Sequence, residues 1–76
     1  MEYTKDEKCF IVGVALGLIK KGHRADVGRL MNKHPDIFKD IISEIVAGGI
    51  TDDYKIRDSI LELGEELGCR KELVYD

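Results

Sequence analysis

An all-α fold, a compact four-helix bundle around a buried N-terminal helix, follows from three features of this 76-residue sequence. The stretch from Cys9 to Ile19 (CFIVGVALGLI) carries no charged and no strongly polar side chain. Elsewhere apolar residues recur at spacings of three and four, the mark of helices with one buried face. The breaks between these stretches fall at Gly22, Pro35 and Gly48-Gly49, residue types that stop or start helices. A chain this short has room for one core, so residues 1–76 are read as a single domain.

Thr4 and Glu7 form a Thr-x-x-Glu capping box, each side chain placed to satisfy a free amide at a helix start. The first helix therefore runs from Lys5 to Lys21, with Lys20 and Lys21 suiting its negative end and Gly22 its left-handed cap. From Cys9 onward it is apolar almost all round, which predicts burial. Gly13 and Gly17 lie four apart, a spacing that Gly64 and Gly68 repeat, and close packing of the two pairs would compensate the cost of glycine within a helix. A second helix spans about Arg24 to Asn32, with Val27, Leu30, Met31 and His34 on one face. Pro35, well tolerated in a first turn, opens a third helix to about Ala47, with Asp36 at its positive end. Its doublets Ile37-Phe38, Ile41-Ile42 and Ile45-Val46 make a wide apolar stripe. Thr51 or Asp52 caps the fourth helix, whose inward face is Ile56, Ile60, Leu63 and Leu67, and Gly68 closes it. Arg70 to Asp76 can add a last turn, with Leu73, Val74 and Tyr75 docking back. Short connections then give a roughly up-down bundle.

Composition narrows the function classes. Apolar residues at 43% argue against disorder, and 36% charged residues suit a small soluble body. The 11-residue apolar run is well short of the ~20 residues that cross a bilayer. Residues 1–8 are net acidic, and Val-Ala-Leu-Gly is no Ala-x-Ala cleavage pattern, so a signal peptide is not expected and the cytoplasm is. Cys9 and Cys69 form no CxxC and no metal framework. An antiparallel arrangement of the first and last helices would bring them to one end of the bundle, but in a reducing compartment two buried thiols are expected rather than a bridge.

Catalysis and metal binding find no support in the spacing. His23 and His34 match no zinc or metalloprotease pattern. His34 is read as a cap of the third helix and His23 as a solvated loop residue. Asp52, Asp53 and Asp58 lack the spacing and glycine of an EF-hand. No cofactor, small-molecule substrate or catalytic residue is assigned.

Charge is uneven. Five basic residues (Lys20, Lys21, Arg24, Arg29, Lys33) stand against one acid between positions 20 and 34, in a chain of formal net charge −3. Such a segment can meet phosphate or nucleic acid, although it holds no aromatic residue for stacking on bases. Within it, Val27 and Gly28 stand at the apolar and small positions of a first helix, Met31 at its next core position and Asn32 at a turn. Phe38 and Ile41 face inward from a second helix. In this pattern Asp26 to Ile41 resembles a helix-turn-helix, the DNA-reading motif of many repressors. Two departures weaken what the resemblance implies. Lys33 takes a turn position that is normally apolar. Asp36 and Asp40 lie on the outward face of the would-be recognition helix, where they would repel phosphates.

The expected function is therefore protein binding by a small, non-enzymatic regulatory or adaptor module. The stripe on the third helix, through Ile37, Phe38, Ile41, Ile42 and Ile45, is wider than a small bundle needs. It is the candidate contact surface for a protein partner or for a homodimer, with Glu62, Glu65 and Glu66 at its rim. Nucleic-acid binding through the basic segment is the alternative.

Overall fold

A computed structural model of the chain describes residues 2–70. Among the described residues it has four helices: α1 (Lys5–Lys20), α2 (Arg24–Lys33), α3 (Pro35–Val46) and α4 (Asp53–Leu67). They form an all-α body of 29 × 27 × 20 Å. The turn expected from Leu73, Val74 and Tyr75 lies outside the described residues.

Local chemistry sets the helix ends. Thr4 Oγ1 accepts from the Glu7 amide at 3.1 Å, and Glu7 Oε1 accepts from the Thr4 amide at 2.9 Å, completing the capping box. Asp52, not Thr51, caps α4 by accepting from the Lys55 amide at 2.9 Å. Gly22 and Gly68 adopt positive φ (80° and 73°), which lets the chain turn out of α1 and α4. The α2–α3 joint is His34 alone, followed by Pro35 in the first turn of α3. Phe38 then departs from helical geometry (φ −103°, ψ 17°) and bends α3.

The core gathers Val12, Ala15, Leu16 and Ile19 of α1 against Val27 and Met31 of α2, Ile37, Phe38 and Ile41 of α3, and Ile56 and Ile60 of α4. Ile50, in the α3–α4 connection, completes it. Antiparallel packing of α1 on α4 is its longest seam. The start of α1 meets the end of α4 through Lys5 and Gly68, and the end of α1 meets Asp53, Tyr54 and Arg57.

Two expectations give way here, and a third in part. Cys9 and Cys69 are joined in a disulfide with Cα atoms 5.5 Å apart, instead of standing as two thiols. The antiparallel seam puts Cys9 beside the residue that follows the α4 cap. α1 is not enclosed all round: Phe10 is 67% exposed and Val14 38%, because α2 and α4 cover only one side of it. Reciprocal glycine packing is not what Gly17 and Gly68 do. A Cβ on Gly17 would meet nothing within 4 Å, and Gly68 serves as the left-handed cap.

Candidate interaction surfaces

α3 divides its apolar stripe between core and surface. Ile37, Phe38 and Ile41 are buried, Phe38 completely, so these three members of the expected contact surface are core residues. The physical reason is the one-residue joint at His34, which folds the first turns of α3 back against α2 and into the shared core. Ile42 and Ile45 are half-buried, and Val46 is 83% exposed. Together with Gly28, Met31 and Asn32 of α2 they line a shallow, mainly apolar groove of about 250 Å³. The surface-facing part of the stripe is thus Ile42, Ile45 and Val46. The acids expected at its rim, Glu62 and Glu66, instead border a separate cleft between α3 and α4, with Asp40 and Glu44.

The basic segment does not form one patch. Lys20, Lys21 and Arg24 lie around the α1–α2 turn, whereas Lys33 ends α2, roughly 14 Å further along that helix. Arg24 is drawn to α4: its Nη2 donates to the Thr51 carbonyl at 3.3 Å, and its Nε lies 3.6 Å from Asp53. Arg29 pairs with Asp26 one turn back on α2. No ion pair holds Lys20, Lys21 or Lys33 among the described residues.

The helix-turn-helix resemblance loses its turn. Val27, Met31, Phe38 and Ile41 are buried as the motif requires, but Asn32 belongs to α2, and one residue replaces the three or four of such a turn. Gly28 is exposed, and a Cβ there would meet nothing within 4 Å, so no close helix approach requires the glycine.

The histidines part company. His23 is exposed, with Nδ1 3.6 Å from Asp26. His34 occupies the cap position of α3 in its backbone only, and its Nδ1 is hydrogen-bonded to Tyr3 Oη at 2.8 Å. The two rings meet edge-on, at a centroid distance of 5.5 Å and an angle of 74°. This contact ties residue 3 to the α2–α3 corner, above a cleft of about 390 Å³ lined by Glu2, Tyr3, Lys8, Asp36, Ile37 and Leu67. No group of three or more His, Cys, Asp or Glu side chains among the described residues is placed to hold a metal ion. No helix among them is long and apolar enough to cross a membrane.

One surface escaped the sequence reading: the outer side of α1, where Phe10 and Val14 alternate with Gly13 and Gly17. Its signal lay in the four-residue spacing of both pairs. No family model, no curated protein and no solved structure matches this chain.

Proposed function

We propose that this protein is a small regulatory or adaptor module that acts through protein–protein contact and self-association rather than catalysis. The observation that supports the reading is apolar surface left outside a completed core. Phe10, Val46 and Tyr54 are each at least two-thirds exposed in a chain whose interior already encloses Leu16, Phe38 and Ile60. Large side chains held in water on such a small body are best accounted for by a partner that covers them. The α2–α3 groove, through Ile42, Ile45 and Val46, is the proposed docking site for another protein.

The test places a photo-crosslinking side chain at Val46 and, as control, at exposed Ser43 on the same helix. A discrete protein adduct from Val46 but not from Ser43 is expected. Equal or absent labelling at both positions counts against the groove.

Residence in the cytoplasm is likewise a proposal, and the Cys9–Cys69 bridge opposes it, because disulfides persist mainly in oxidising compartments. Intact mass of the protein taken from its own cell, with thiols trapped at lysis, separates the two: a two-dalton deficit excludes a fully reduced cytoplasmic state.

A further inference from the structure

α1 turns one side away from the core. Cys9, Val12, Leu16 and Ile19 point inward, so residues 6, 10, 13, 14, 17 and 21 fall on the opposite side. Phe10 is 67% exposed and Val14 38%, and no atom lies within 4 Å of where a Cβ on Gly17 would stand. Asp6 begins the exposed side, and Lys21 ends it. No ion pair holds Asp6, Lys20 or Lys21 among the described residues.

The order of these residues is self-complementary about the point midway between Gly13 and Val14. An antiparallel second α1 centred there sets Phe10 on Gly17 and Asp6 near Lys21, while Val14, off the centre line, meets its own copy across the dyad. The phenyl ring meets a glycine, and the acid at position 6 meets a lysine. At a rise of about 1.5 Å per residue, Phe10 and Gly17 each lie about 5 Å from the dyad, and Asp6 and Lys21 about 11 Å. A two-fold interface requires this reciprocity, in which residue i meets j and j meets i. Glycine lets the facing backbone come close enough for a phenyl ring to be covered.

We infer that the outer side of α1 is a homodimer interface, an isologous antiparallel pairing that seats Phe10 of one copy on Gly17 of the other. The inference rests on the proposed self-association and assigns it a surface, leaving the α2–α3 groove for a different protein. Charge selects a second copy. The acid-to-lysine order along the helix matches its own reverse, whereas a parallel pairing sets acid against acid. One helix face is a small contact, so the dimer is expected to be reversible and micromolar.

Sedimentation velocity across micromolar to millimolar concentrations tests it, with circular dichroism confirming that each variant is folded. The wild type is expected to dimerise, Phe10→Glu to weaken dimerisation at least about tenfold, and Val46→Glu to leave it unchanged. Asp6→Lys should weaken it about fivefold, and adding Lys21→Asp should restore it, because the swapped charges still meet across the dyad. A dimer lost with Val46→Glu but kept with Phe10→Glu overturns the inference and leaves self-association intact at the other surface. A dimer that survives both variants, or one that the charge swap fails to restore, also overturns it. A monomer at every concentration overturns it together with the self-association on which it rests.

Discussion

Phe38 and Val46 sit eight residues apart on α3 in opposite environments, the first fully enclosed and the second 83% exposed. Phe38→Ala should therefore cost about 3–5 kcal/mol of folding stability, and Val46→Ser no more than about 0.5, measured by urea unfolding. The same contrast disqualifies Phe38 as a probe of binding, since a charge there destroys the core before any partner is tested. Glu7 gives a second prediction at this scale. The hydrogen bond from the Thr4 backbone, then that with its hydroxyl, holds the Glu7 carboxyl below its ordinary value of 4.5. A lowered acid stabilises the fold above the unfolded pKa, and that contribution disappears as pH falls through the folded value. Thr4→Ala should move the Glu7 midpoint back toward 4.5 in an NMR titration and flatten the pH dependence of stability below it. The capping box was legible because it is local: Thr4 and Glu7 need only each other. The fate of Cys9 and Cys69 was not, because compartment chemistry argued against a bridge that only tertiary geometry reveals.

Among the elements, amphipathic α3 and α4 could be placed from their apolar spacing, and their ends from Pro35, Asp52 and Gly68. α1 could be placed but not oriented. With no polar side chain between Cys9 and Ile19, nothing in that run marks which side meets water, and full burial was the natural expectation. Likewise the doublets of α3 show a wide stripe without showing that its first half, Ile37, Phe38 and Ile41, is consumed by the core. Glycines give the sharpest test at this scale. In the monomer, Gly17→Ala should stabilise by up to about 1 kcal/mol, since helix propensity improves and the added methyl meets nothing. Gly68→Ala should destabilise by about 1–2 kcal/mol, because φ is 73° there and the new Cβ would stand 3.2 Å from Lys5 Nζ. Thermal unfolding at submicromolar concentration keeps dimerisation out of both measurements. Equal effects of the two substitutions would mean that Gly17 is more tightly packed than its open surroundings indicate.

For the whole molecule, the Cys9–Cys69 bridge matters most. It spans a sequence separation of 60 and joins the second turn of α1 to the residue after the α4 cap, closing nearly the full described chain into one loop. A cross-link of that span removes loop-closure entropy from the unfolded ensemble worth roughly 4 kcal/mol, and measured bridges commonly deliver about 2–4. Folding stability of a domain is only about 5–15 kcal/mol, so the bridge is a large fraction of what holds so small a core. Each kcal/mol moves the melting temperature of a 60–100-residue domain by about 4–8 °C. Reduction, or the Cys9→Ser/Cys69→Ser pair, should accordingly lower it by about 10–25 °C while helical circular dichroism at low temperature persists, because Val12, Leu16, Phe38 and Ile60 still bury one another when the covalent link opens. The serine pair also exchanges a side chain that is 2% exposed at Cys9 for a hydroxyl, so reduction of the wild type is the cleaner of the two experiments. A fall of only a few degrees on reduction would mean that the α1–α4 seam holds its ends together without the covalent link, and that the same fold operates in either redox state. Loss of helix on reduction would mean the reverse: the seam forms only when its ends are tied, and the protein folds only where disulfides do.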